Sequence, residues 1–511
     1  VVQGGFDPIQ AALRSRLSRN QLSGCNYAGA KAHELRFAAL ALANNFPDPA
    51  PAATAKEKEK PKDDKDKPKE KAAEKKVPEP KLPEEFIGQA IKEVVMHEVG
   101  HSLGLRHNFK ASILLKPEQL NDTSITRVKG MAGSVMDYNP INIAPKGQKQ
   151  GDYASTTIGP YDYWAIEYAY SPADGNEEAE LKKIASRSPD PELAFATDDD
   201  FASNDPQVNV YDLGSDTLAY GKDRMAIAAE LLADLDKKVV KDGESWARLR
   251  PAFMTCISQF GNGAHLASEY IGGQSVHRDF KGTDKARDPV IPISGAKQRE
   301  ALALVVDKIL SDKAFQFSPA LLRKLTTENW QDSGFYFFRR DYSIYQMVQN
   351  LQEIVLDQAL DPSVLGRVQD QELQSDPGSN PIKIAEIFRS LSEGIFSELS
   401  ATPKATFAIS TLRRNLQREY IKRLSSMVLG PKSDPFSGGG FRFIMFSGGS
   451  SSAPPDAKNL ARLHLDELGK KIDHLLGEKD LKIDDTSLAH LKELRFRITR
   501  VLNAGLNANE P

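Results

Sequence analysis

Residues 97–107 read His97-Glu98-Val99-Gly100-His101-Ser102-Leu103-Gly104-Leu105-Arg106-His107, the pattern H-E-x-x-H-x-x-G-x-x-H. At ordinary composition a chance match is on the order of 10⁻⁵ per chain, so the stretch is read as a site. His97 and His101 are four apart. A helix therefore puts both imidazoles on one face, about 6 Å apart along the axis. Glu98 lies about 100° further round, within reach of a metal-bound water. Gly104 tolerates positive φ, so it can end the helix and turn the chain sharply back. His107 then supplies a third nitrogen. Three neutral imidazoles plus one water make an open tetrahedral zinc site of the catalytic kind.

Upstream, Phe86, Ile87, Ala90, Ile91, Val94 and Val95 repeat at helical spacing. They predict an active-site helix over about 84–103 whose buried face is continuous with its ligand face. Downstream, after a variable stretch 109–133, comes Ser134-Val135-Met136-Asp137-Tyr138. An aromatic-rich helix over Tyr161–Tyr170 follows and should pack under that turn.

These stretches resemble the metzincin zinc peptidases, whose long motif is followed by a tight turn carrying a methionine beneath the metal. The resemblance implies that Met136 is the Met-turn residue. It also implies that Tyr138 touches the zinc or the transition state, as in the astacin-like and serralysin-like branches. Asn108, just after the third histidine, fits none of the well-known branches, and no branch specificity carries over. A closer resemblance is to large bacterial zinc-dependent metalloproteases with a helical C-terminal extension. It is carried by His97–Phe109, Ser134–Tyr138, Gly159–Tyr168, Tyr270–Phe280 and Ala296–Ala301. It implies an α+β metzincin-like catalytic region followed by a mainly α-helical C-terminal region. It further implies a zinc cofactor, a protein or peptide substrate, and an exported protein, secreted or periplasmic. In metzincins the sheet flanking the active-site helix precedes it. Upstream of Glu84 the text is helix-like, without convincing alternating strands, and the chain opens on Val1 without a signal peptide. A fragment or processed form, with much of the sheet before Val1, is expected.

The 511 residues suffice for two or three domains. An apolar content of 40% and a charged content of 27% are those of a soluble globular protein. The net charge of −3 argues against a general nucleic-acid binder, and no apolar run approaches the length of a membrane span. The predicted division is a catalytic domain over 1–170, a mainly helical extension over 171–431, and a flexible loop with C-terminal helices over 432–511. Residues 28–45 read as a helix. From Pro47 to Pro83 there is no aromatic residue, and residues 55–76 hold ten lysines and seven acidic residues. Such a segment cannot bury a core, so 47–83 is read as a disordered charged insertion, with a docking tail or propeptide-like cleavage target as the alternative. Residues 171–215 are polar and Asp-rich, a solvated loop or else a calcium loop. Helices are predicted over 217–240, 245–260, 296–312, 318–327, 340–360, 382–398, 403–428, 457–477 and 486–503. Residues 432–455 are Ser/Gly/Pro-rich around Phe441–Phe446.

Together these residues read as a zinc endopeptidase. His97, His101 and His107 hold the metal, Glu98 is general base and then acid, and Tyr138 assists at the oxyanion. Residues 139–143 would wall the pocket for the side chain following the cut. Tyr138 could equally be a buried tyrosine bonded to backbone. Arg106 and Asn108 are candidates to support the imidazoles. One rival makes Glu167 the third ligand, a gluzincin arrangement that leaves His107 idle. Another is a catalytically silent zinc-binding interaction protein, against which Glu98 argues, because a structural zinc needs no base. Cys25 and Cys256 form one bridge or stay as two buried thiols, and neither has the spacing of a zinc thiolate site. His33, His265, His277, His464, His474 and His490 are assigned no role.

Overall fold

Helix α1 (Tyr27–Asn45) and helix α2 (Glu84–Ser102) frame the motif. The computed structural model describes residues 25, 27–45, 82–172, 175–328, 341–400, 407–430, 453–478 and 481–504. The charged insertion expected over 47–83 and the loop expected over 432–455 lie outside these residues, except at their last positions.

Helix α2 starts with Glu84 and Glu85 in its first turn, where carboxylates complement the helix dipole. It ends as the motif predicts. Gly104 takes φ +85°, its N–H bonds to His101 O at 3.0 Å, and Leu105 N–H bonds to Gly100 O at 3.0 Å. This pair of bonds closes a Schellman cap, which only a residue at ease with positive φ completes without strain. The face assignment needs correction, however. Phe86, Ala90, Glu93, His97 and Gly100 are buried. Ile87, Ile91, Val95, Val99 and Leu103 form an exposed stripe. The helix turns its less apolar stripe inward because that stripe carries the first histidine and the glycine against which the turn at Met136 packs.

Beyond the turn come α3 (Pro160–Tyr170) and α4 (Glu177–Ala185). The helical region then holds α5 (Thr217–Ala233), α6 (Leu249–Glu269), α7 (Gly295–Lys308), α8 (Ile344–Ala359), α9 (Pro362–Gln374), α10 (Ile384–Ile395), α11 (Thr411–Leu429), α12 (Pro455–Leu476) and α13 (Asp485–Leu502). Helix α6 lies at the centre, packed along α5 and against α1, α7 and α8. One hydrophobic cluster runs continuously from Phe37 in α1 to Val501 in α13. Among the described residues the sheet content is one antiparallel ribbon, β1 (Gln274–Val276) with β2 (Val290–Pro292), with Ser275 opposite Ile291. The helical half of the expectation therefore stands, and no sheet flanks α2 among the described residues.

Three helices were not anticipated, one of them Thr123–Lys129, capped by Asp122 within the stretch read as variable. Helix α9 is announced by Asp361, whose carboxylate accepts from Ser363 N and Val364 N, with Pro362 at the first helical position. Helix α4 is capped by Asn176 and breaks up the stretch expected to be loop. The predicted helix over 318–327 shrinks to Pro319–Leu322. No described helix is long and apolar enough to cross a membrane.

Candidate metal centre

The three histidines of the motif converge. Ring centroids are 4.8 Å apart for His97–His101, 4.8 Å for His101–His107 and 5.5 Å for His97–His107. Each ring has its outer nitrogen engaged. His97 Nδ1 lies 2.8 Å from Val135 O, His101 Nδ1 3.0 Å from Leu105 O, and His107 Nδ1 2.9 Å from Asp198 Oδ1. A carbonyl or carboxylate oxygen only accepts, so every Nδ1 carries a proton, which leaves Nε2 as the nitrogen of each ring that a metal would take. His101 Nε2 is buried with no protein partner. Burial pushes His97 down to about 3, so its ring is neutral at physiological pH. Three imidazoles aimed at one point, with His101 Nε2 otherwise an unsatisfied buried atom, fit a divalent zinc ion.

The turn 134–138 is built into this centre. Met136 is fully buried and sits against Gly100. Val135 O holds His97, and Met136 O accepts from Asn108 N at 3.0 Å. Asp162, in the first turn of α3, clamps the turn from below: it accepts from Ser134 Oγ at 2.6 Å and from Val135 N at 2.9 Å. Helix α3 thus meets the turn as predicted, but through Asp162 and not through its aromatics. Tyr163, Tyr168 and Tyr170 are exposed. The fit at Gly100 is tight, since a Cβ there would lie 2.2 Å from Met136 Sδ. Gly100→Ala should therefore destabilise by about 1–3 kcal/mol through overpacking and loosen zinc through the shifted Val135 carbonyl. Urea unfolding and chelator competition would measure both, and an unchanged midpoint would show that Met136 yields freely.

Tyr138 places its hydroxyl 3.2 Å from His107 Nε2. It stands at the cluster itself. Asn108 is fully buried, and its side chain bonds Ala194 O and Ala196 N. It ties the third histidine's loop to the segment carrying Asp198. Arg106 pairs with Asp199 at 3.0 Å. Glu98 is exposed, with Oε1 3.4 Å from Cys25 Sγ. Glu167 is ion-paired with Arg187 and is not part of the cluster, which leaves the gluzincin alternative without its ligand.

Three expectations are corrected. Residues 139–143 do not wall an open pocket. They are buried, and Lys31 of α1 donates to Asn139 O at 2.9 Å and Pro140 O at 3.2 Å. The Asp-rich stretch is neither free loop nor cation loop. Asp198 holds His107, Asp200 pairs with Arg278, and Asp205 is buried against Lys110. Burial works against the Asp198 carboxylate, yet the His107 N–H holds its pKa below the ordinary value. The cysteines are both free, as one of the two readings had it, but Cys25 is exposed and not buried. Cys256 is buried in α6. Cys25, however, joins the three histidines, with ligand atoms all within 4.8 Å of one another. Sequence reasoning missed both Asp198 and Cys25. A histidine that binds metal through Nε2 calls for an acceptor at Nδ1, which makes a downstream Asp cluster a candidate. Nothing in local spacing points to Cys25.

Beside the turn, Ser112 bridges two buried carboxyls: its N–H donates to Asp137 at 2.8 Å and its hydroxyl to Asp212 at 2.9 Å. Burial pushes Asp212 up to about 7 and, with the neighbouring Asp212 charge, raises Asp137 well above the carboxylate range. The folded state thus keeps a proton that the unfolded chain releases near pH 4. That stabilisation is complete below about pH 4 and is lost as the pH rises through about 7. Asp212→Asn, which stays neutral, should lose less stability between pH 4 and pH 8 than the parent chain. Parallel slopes of melting temperature against pH for the two proteins would count against this assignment.

The family model for Met-zincin matches residues 79–403, more than half of the chain. No curated protein and no solved structure matches.

Proposed function

The chain belongs to the Met-zincin family, and from that premise we propose that it is a zinc-dependent endopeptidase. The observation that carries the reading is the hydrogen-bond pattern: three Nδ1 atoms spent on oxygen acceptors, which turns three Nε2 atoms toward one another, His101 Nε2 without a partner. His97, His101 and His107 would hold the zinc, and Met136 would floor the site. When bound, zinc supplies Lewis acidity to a water and to the scissile carbonyl. The protein does the rest. Glu98, next to the first histidine and free of any ligand role, takes the proton of the attacking water and delivers it to the leaving amine. The Tyr138 hydroxyl, already at the cluster, donates to the developing oxyanion. Asp198 keeps His107 in its tautomer and stabilises the charge that ligation places on the ring. On this reading residues 1–170 form the catalytic unit, and the following segment contributes Asp198 to it.

The test combines zinc content with cleavage of a generic protein substrate, wild type against Glu98→Gln. Zinc-loaded, folded protein that cuts no peptide in a diverse library would sink the peptidase reading.

A further inference from the structure

Tyr138 reaches the metal centre with a long side chain, and its ring is packed from several sides. Tyr27, the first residue of α1, lies face to face with it, the ring centroids 4.9 Å apart and the planes 14° from parallel. Phe109 and His107 meet the same ring edge-on at 5.2 Å and 4.9 Å. Tyr211 flanks it at 6.1 Å. Phe109 and His107 belong to the loop of the third histidine. Tyr27 and Tyr211 are brought in from distant parts of the chain.

Tyr27 is built to be a fixed wall. It is fully buried. Its hydroxyl donates to Glu93 of α2 at 2.8 Å and accepts from Lys31 Nζ at 3.1 Å. Glu93 is itself buried and ion-paired with Lys31, and it lies one helical turn before His97. Rotating the Tyr27 ring would break both bonds in a buried setting, where lost partners are expensive. The backbone of Tyr138 is held as well. Its carbonyl accepts from Tyr211 N at 2.9 Å, and Tyr211 takes φ +61° to do so, a strained conformation for an aromatic residue.

We propose that Tyr27 is a positioning residue: its ring holds the Tyr138 ring against the third histidine's loop, so that the Tyr138 hydroxyl, 3.2 Å from His107 Nε2, is in place before substrate arrives. The proposal rests on the oxyanion role given to Tyr138 above. A donor already in place costs no reorganisation when charge develops, whereas a phenol free to rotate spends part of its time turned away. Tyr27 is too deeply buried to touch substrate, so it acts on the reaction through Tyr138. A stacked aromatic pair favours one arrangement by about 2–10-fold.

The full-length, zinc-loaded chains to compare are wild type, Tyr27→Leu, Tyr138→Phe and the double variant. Tyr27→Leu should keep its zinc and lose about 2–10-fold in kcat with KM little changed. In the Tyr138→Phe background the same substitution should cost nothing further, because the hydroxyl it places is gone. A second readout needs neither zinc nor activity. Tetranitromethane should nitrate Tyr138 several-fold faster in metal-free Tyr27→Leu than in metal-free wild type, while Tyr420, fully buried in α11, stays unmodified in both. Tyr27→Phe keeps the ring and drops its anchor to Glu93. It should fall between wild type and Tyr27→Leu in kcat and in nitration rate, and it carries the test if the leucine chain does not fold. Equal losses of kcat with and without the Tyr138 hydroxyl, or unchanged nitration of Tyr138, would overturn the positioning role and leave the peptidase reading standing. Faster nitration alongside a zinc-loaded wild type that cuts no peptide would overturn the peptidase reading, and the role of Tyr27 in the reaction with it.

Discussion

Glu98→Gln protein should fold, retain its zinc and lose about 10²–10⁴ in kcat, the usual cost of removing a general base. Glu98 sits on the exposed side of α2 beside His97. No imidazole nitrogen depends on it, since the three Nδ1 atoms bond Val135, Leu105 and Asp198. Its carboxylate is thus free to work on a proton and unnecessary for holding the metal. The amide has the same shape but cannot accept that proton. Tyr138→Phe should cost less, because it removes at most one oxyanion donor. Cleavage by Glu98→Gln at the parental rate would refute the base assignment, and loss of zinc would make Glu98 a ligand.

His101→Ala is expected to strip the metal and the activity together. Zinc binding by a complete ligand set is worth about 10–16 kcal/mol, so losing one ligand should cost about 3 kcal/mol or more, on the order of 10²-fold in affinity. His101 is the sharpest choice because its Nε2 has no other partner to lose. Excess zinc should raise the melting temperature of the parent chain, since binding to the folded state alone contributes about 2.7 kcal/mol at a hundredfold excess over Kd. In His101→Ala that shift should vanish at the same zinc concentration. Glu167→Ala should retain both zinc and shift, since Glu167 is occupied by Arg187. Full metal content in His101→Ala with loss in Glu167→Ala would replace the three-histidine site.

Where the sequence was informative, the reason was local geometry. Rise and rotation per residue in a helix are constants, so H-E-x-x-H fixes two rings on one face whatever surrounds them. Gly104 was readable because positive φ excludes most other residues, and the Schellman cap appears where it was expected. The helices of the C-terminal half followed from apolar period, although α9 was missed despite a clear Asp361-Pro362 start.

What only the tertiary structure decided lies across long separations. Asp198 meets His107 over 91 residues, and Cys25 meets His97 over 72. Each contact depends on how a separate segment docks, which chain spacing does not encode. The face of α2 was undecidable for a related reason. Two apolar stripes share the helix, and the stripe that packs inward is selected by its partners, Met136 against Gly100 and Lys31 against Glu93. The motif determined which residues could hold a metal. The docking of α1, through buried Tyr27 and Lys31, decided that a thiol stands beside them.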